Sequence, residues 1–245
     1  MATGTISSTP SVKKPKLSIS QIINMSVGFF GIQFGWDLQR ANMGPIYDVL
    51  GANPDDIPLL FLAAPLTGLI VQPIIGYLSD RTWHPKWGRR RPYFFIGAVL
   101  SSIALLFMPH SSALWMAAGL LWVLDVFGNV AMEPFRAFVA DKLPDSQLNR
   151  GFIMQSLMIG LGGCIASALP WIMRNWFSME NVAAKGVIPD NVKFSFYIGA
   201  FFFLTAVLFT VFTSKEYPPT ADDLQEQEKA AKGFGNGIKE ISSAI

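Results

Sequence analysis

LLWVLDVFGNVAMEPFRAF, residues 120–138, is the stretch on which the reading of this chain turns. Leu, Trp, Val, Phe and Met make it apolar enough to cross a membrane, yet it carries Asp125, Asn129, Glu133 and Arg136. The first three are spaced i, i+4, i+8, and Arg136 follows three residues after Glu133. At 3.6 residues per turn they share one stripe of a helix. Lipid cannot solvate such a stripe, so it must face a water-filled cavity or another helix. Ionisable groups at membrane depth are costly and mark the paths of ions and substrates. A structural ion pair tying this helix to a neighbour is the alternative. Three ionisable groups on one helix are more than packing needs.

The rest of the chain has the same character. Of its 245 residues, 51% are hydrophobic and only 15% are charged, against roughly 25% charged in ordinary soluble domains. A helix needs about 20 apolar residues to cross a hydrocarbon core of roughly 30 Å. Six stretches qualify, at about 19–50, 57–79, 92–109, 112–136, 151–173 and 194–213. The expected fold is therefore an all-α membrane protein with a six-helix transmembrane bundle over residues 19–214. A polar tail, 1–18, reads as disordered. The first span is too long for a signal peptide and lacks a convincing cleavage site, so it reads as retained. Residues 215–245 read as a charged cytoplasmic central-loop segment, expected to be truncated.

Lys and Arg set the orientation. They gather in the tail (Lys13, Lys14, Lys16), in the loop after span two, after span four (Lys142, Arg150) and at Lys215, whereas residues 50–56 and 109–112 hold none. The 174–193 loop breaks the trend with Arg174, Lys185 and Lys193. Both termini are thus expected on the cytoplasmic side of the cell membrane. A net charge of +2 argues against a nucleic-acid partner. A single cysteine, Cys164, and the absence of any Cys/His cluster leave no disulfide and no metal site to expect. With no Ser/His/Asp or Cys/His arrangement either, neither an enzyme nor a cofactor is expected.

Further polar groups extend the candidate site. In span one, Gln33 and Asp37 lie i, i+4, Arg40 follows Asp37, and Trp36 stands beside them. Amide, carboxylate, guanidinium and an aromatic plane together suit a sugar, through hydrogen bonds to hydroxyls and stacking on the ring face. Residues 37–42 can equally lie in the watery interface. Gln72 with Pro73 reads as a lining segment or as a satisfied amide. The loop after span two carries Gly76, Asp80, Arg81, Gly88, Arg89, Arg90 and Arg91. Asp80 closes one span and the arginines open the next, so charge-assisted hydrogen bonds can latch the helix ends in one conformation. His84 and His110 read as bystanders. In span five, Gly160, Gly162, Gly163, Ala166, Ser167 and Ala168 supply small residues for close helix contact.

Taken in order, these motifs carry a family likeness. The Gly76–Arg91 loop resembles the signature between spans two and three of major facilitator transporters. Gly31-Ile-Gln-Phe-Gly-Trp36, Gly68-Leu-Ile-Val-Gln-Pro73, Gly76-Tyr-Leu-Ser-Asp-Arg81, Gly88-Arg-Arg-Arg-Pro92 and Leu124-Asp125-Val126 with Asn129 and Arg136-Ala137 look like segments of sucrose–proton symporters, within the glycoside–pentoside–hexuronide:cation symporter group. The likeness implies the N-terminal bundle of a twelve-helix fold, with sugar bound between two six-helix halves near the midplane. It implies proton-driven sugar uptake, with Asp125 carrying the proton and Arg136 as its electrostatic partner or a ligand for substrate hydroxyls. Asp37 and Glu133 depart from the likeness, standing where the plant carriers have a small residue and Gly. Since only the amino-terminal half is matched, the missing C-terminal six-helix half is an expected partner, and the chain reads as a fragment. Sodium coupling and a non-transporting half-length membrane protein are the alternatives.

Overall fold

A computed structural model describes residues 14–179 and 187–218. Its elements are α1 (Ile19–Val49), the one-turn α2 (Ile57–Leu60), α3 (Ala63–Arg81), α4 (Arg91–Phe107), a 3-10 turn at Met108–His110, α5 (Leu114–Lys142), α6 (Asp145–Trp176) and α7 (Asp190–Thr213). Helix starts follow local chemistry. Ser18 caps α1, its Oγ accepting from the Gln21 amide while the Gln21 side chain accepts from the Ser18 amide, a capping box. Pro92 lies in the first turn of α4, and Pro144 and Pro189 immediately precede α6 and α7. Proline fits there because the first turn of a helix leaves its N–H groups unbonded.

The six expected spans are present as helices, with shifted ends. The second is broken at Phe61 and Leu62, between α2 and α3. Expected to stop at 136 and to start at 151, α5 and α6 instead run to Lys142 and from Asp145. Charge marks where a helix leaves the hydrocarbon, and the backbone ladder simply continues past it. Among the described residues, five helical segments are long and apolar enough to cross a membrane by length and composition, Ile57–Arg81 and the four that follow. Though less apolar, α1 lies inside the bundle, packed against α5, α6 and α7. The protein around it tolerates polar residues that lipid would not.

Beyond α1, α4 packs on α5 and α7, and α3 lies along α5. Phe29, Phe94, Phe135 and Phe138 fill the core, with ring centroids 5.1 Å (Phe29–Phe135), 3.9 Å (Phe94–Phe135) and 5.4 Å (Phe94–Phe138) apart. Leu69, Ile70 and Ile74 of α3 and Ile153, Leu157 and Leu161 of α6 are exposed. The small face of α6 is narrower than expected. At Gly162 a Cβ would stand 2.5 Å from the Phe30 carbonyl of α1, so only glycine lets the two backbones meet. Gly160 faces open space, and Ser167 and Ala168 are exposed.

Residues 1–13 of the polar tail lie outside the described residues. In the part that follows, the Lys14 Nζ donates to the Ala140 carbonyl at 2.7 Å, and the Gln147 side chain bonds both the amide and the carbonyl of Leu17 at 2.8 Å. Lys185 and residues 219–245, with the charged stretch expected after Pro219, also lie outside.

Candidate functional site

A polar cavity of about 310 Å³ opens between α1, α3 and α5, lined by Trp36, Gln39, Arg40, Ala64, Pro65, Gly68, Gln72, Asp125, Asn129 and Arg136. Six of the residues singled out from sequence therefore meet in one place: Trp36, Arg40, Gln72, Asp125, Asn129 and Arg136. Three members of the polar stripe of α5, Asp125, Asn129 and Arg136, line this cavity, and Glu133 does not.

Hydrogen bonds order this wall. Asn129 is central: its Nδ2 donates to the Thr67 Oγ1 at 3.2 Å and to the Asp125 carbonyl at 2.8 Å, while its Oδ1 accepts from the Gln72 Nε2 at 2.6 Å. The amide of Gln72 is thus satisfied and also lines the cavity. Asp125 is 1% exposed. Its Oδ1 accepts from the Gln39 Nε2 at 3.1 Å. Its Oδ2, the Gln39 Oε1 and the Trp36 Nε1 are buried with no hydrogen-bond partner among the described residues. Two acceptors and one donor are left uncommitted around a single cavity. Buried polar groups are paired in the great majority of cases, and leaving one unpaired costs about 1–3 kcal/mol. Such a set of unpaired groups is what a binding site needs.

Gln39 was not singled out from sequence. Its signal was nevertheless there: Trp36, Gln39 and Arg40 sit at i, i+3, i+4, one face of α1.

The remaining candidates stand apart from the cavity. Gln33 and Asp37 lie on the neighbouring face of α1, with Asp37 against Gly163 of α6. The Asp37 carboxylate accepts from the Gln33 Nε2 at 2.7 Å and from the Arg40 Nη1 at 2.8 Å. Arg40 is the link, since its guanidinium is held by Asp37 while its side chain lines the cavity. Glu133 faces a shallower hollow beside α3 that it shares with Pro65, Gly68, Leu69, Gln72 and Pro73. Arg136 lies 3.8 Å from Glu133, so its carboxylate neighbour is Glu133 rather than Asp125.

At the arginine-bearing end of the bundle the loop folds into a charge cluster. The Arg90 guanidinium, 5% exposed, bonds Asp80 at 2.6 Å, Asp141 at 2.9 Å and the Ser79 hydroxyl at 2.7 Å. Arg89 reaches Asp141 at 2.7 Å. Burial would lower the Arg89 pKa, but Asp141, with Asp80 and Glu216 behind it, outweighs burial and holds it above the ordinary arginine value. Arg81 stacks over the Tyr77 ring at 3.5 Å. Arg91 bonds the carbonyls of Lys86, Trp87 and Val211.

Glu216, beyond the end of α7, closes this cluster. Its carboxylate accepts from the backbone amides of Arg89, Arg90 and Arg91 at 2.8–3.0 Å. An anion at the N-terminus of α4 also meets the favourable end of the helix dipole. Gly88 has φ of +76°, and a Cβ there would sit 2.7 Å from the Glu216 carboxylate, so glycine is required twice over. Neither Asp141 nor Glu216 was legible from the loop motif, because both are distant in sequence, Asp141 in α5 and Glu216 just past α7.

Comparisons with known proteins bear on the family and the fold. A sequence model described as Major Facilitator Superfamily matches residues 25–244. The sucrose transport protein SUC3 of Arabidopsis thaliana is 27% identical over 270 residues, covering 94% of this chain and 45% of that protein. SUC4 of the same plant is 31% identical over 238 residues, covering 87% and 46%. Rice (Oryza sativa subsp. japonica) SUT1 is 28% identical, covering 82% and 42%. The chain spans less than half the length of these relatives. Among solved structures, an inward-facing bacterial homolog of the human lysosomal transporter Spinster superposes with a TM-score of 0.63 at 13% identity, over 81% of this chain and 43% of that one, a likeness of fold.

Proposed function

The chain belongs to the Major Facilitator Superfamily, whose members are transporters rather than enzymes, and on that premise we propose that it forms the N-terminal six-helix half of a sugar:proton symporter. The substrate is a glycoside of the sucrose or maltose type, moved by alternating access against a second six-helix bundle. The observation that carries this reading is the trio of uncommitted polar atoms, Asp125 Oδ2, Gln39 Oε1 and Trp36 Nε1, around one cavity. A sugar hydroxyl both donates and accepts, so one ring can satisfy a carboxylate oxygen, an amide oxygen and an indole N–H at once, while the indole plane offers a stacking face.

Each residue then has a role. Asp125 carries the proton, since its free oxygen is buried in the wall of the cavity that also takes the sugar. Arg136 and Arg40 donate to substrate hydroxyls, held by Glu133 and by Asp37 with Gln33. Asn129, Gln72 and Gln39 set the wall. The Asp80–Arg89–Arg90–Asp141–Glu216 cluster acts as a latch that holds one conformation of the helix ends. The richness of that end in Lys and Arg supports an orientation with it, and both termini, on the cytoplasmic side of the cell membrane.

The test is uptake of labelled sucrose and maltose by proteoliposomes holding the chain with its six-helix carboxyl-terminal half. Accumulation that appears with an inward proton gradient and collapses with an uncoupler is expected. Uptake that follows a sodium gradient and ignores the uncoupler would replace the proton with sodium. No accumulation under either gradient would contradict sugar transport.

A further inference from the structure

Hydroxyls inside membrane helices ordinarily bond back to the carbonyl one turn earlier in their own helix. Ser26, Ser195, Thr205 and Thr213 do so here, at 2.6–2.8 Å. Thr210, in α7 and fully buried, behaves differently. Its Oγ1 donates to the Asn24 carbonyl at 2.9 Å and accepts from the Gly28 amide at 2.9 Å. Both partners belong to α1, and they are residues i and i+4, the pair that an α-helix joins directly. A side chain from one helix thus bridges a rung of another.

A side chain inserted into the i→i−4 ladder is among the few identified causes of helix bending. In a membrane, a rung can open only where a neighbour re-satisfies its N–H and C=O. Thr210 supplies both functions with one hydroxyl. The position of the rung matters. Below it, the start of α1 is fixed by the Ser18–Gln21 cap and by the Gln147 bonds to Leu17. Above it, α1 lies flush on α7 and α5. A Cβ at residue 31 would stand 2.7 Å from that of Ala206, and Phe29 packs on Phe135, the residue before Arg136. The same upper part of α1 carries Trp36, Gln39 and Arg40 into the cavity.

We propose that Thr210 is a positioning residue: its hydroxyl makes Asn24–Gly28 a pivot in α1, about which the segment bearing Trp36, Gln39 and Arg40 turns relative to the fixed lower turn. What the pivot moves rests on the transporter reading. The pivot itself does not, and it is tested without transport.

Thr210→Val keeps the shape and removes the hydroxyl, while Thr210→Ser keeps the hydroxyl and removes a methyl group. Amide hydrogen exchange over residues 24–32 is measured on the full chain in nanodiscs. Thr210→Val lets the Gly28 amide close directly on Asn24, so exchange there slows by roughly fivefold or more, and Thr210→Ser matches the wild type. Thr210→Ala, also without a hydroxyl, gives the same reading if the valine variant does not assemble. Unchanged or faster exchange in the hydroxyl-free variants would overturn the pivot. So would a serine variant that departs from wild type as far as valine does, because packing would then be the cause. In sugar uptake with the carboxyl-terminal half, the valine variant is expected to lose severalfold in kcat with KM near wild type. A wild type that moves no sugar would sink the transporter reading and leave the exchange result standing.

Discussion

Two polar regions of this bundle are built on opposite terms. In the loop cluster, the Arg90 guanidinium meets two carboxylates and a hydroxyl, and one carboxylate, Glu216, caps three successive amides. In the cavity, Asp125, Gln39 and Trp36 each keep an atom without a partner among the described residues. Satisfied charges fix a geometry. Unsatisfied polar atoms ask for a ligand. Both regions are rich in Asp and Arg, so composition alone does not distinguish them; the pairing does.

The contrast breaks most visibly at Asp125. Asp125→Asn keeps the shape and the Gln39 contact but cannot carry a proton. Gradient-driven sugar accumulation is expected to fall by on the order of a hundredfold, with sugar exchange across equal concentrations retained. Uphill uptake near the wild-type level in this variant would remove Asp125 from coupling. Next in size is Arg90→Ala in the loop cluster. Removing one partner of a buried ion pair costs about 3 kcal/mol, the low end for such changes, because Asp80 and Asp141 keep some contact with water. Thermal unfolding in detergent reads this directly, and an unchanged melting temperature would mean that the cluster holds nothing together.

Smaller effects sharpen the same comparison. Gly88→Ala forces a side chain into a left-handed conformation and against the Glu216 carboxylate, at a cost of about 2 kcal/mol. The same melting experiment should place it below Arg90→Ala. Trp36→Phe keeps the ring and loses only the N–H. Half-saturation for sugar exchange should rise about fivefold, the worth of one neutral hydrogen bond, while stability stays at the wild-type level. A variant that lost stability but kept its affinity would assign the indole N–H to the fold instead of the site.

Much of the fold was legible because membrane helices are read from local composition. The six helices, the polar stripe of α5 and the loop signature all follow from residues close together in sequence. The cavity was legible in part, since Asp125, Asn129, Gln72, Trp36, Arg40 and Arg136 could be marked as polar at membrane depth. Gln39 was hidden between Asp37 and Arg40, whose charges drew attention from the amide beside them. The separation of Asp37 and Gln33 from the cavity depends on how α1 is rotated against α6, which packing at Gly162 and Gly163 decides. Asp141 and Glu216 were beyond reach for another reason. They join the loop from the ends of α5 and α7, and no spacing rule connects residue 216 to residue 90.

The most direct test of the central claim is infrared difference spectroscopy on the chain paired with its carboxyl-terminal half, with and without sucrose. If sugar and proton meet at Asp125, adding sucrose should perturb a carboxyl band that Asp125→Asn removes. Identical difference spectra in the wild type and the variant would contradict the account, and would place the sugar away from the one buried carboxylate oxygen the cavity leaves free.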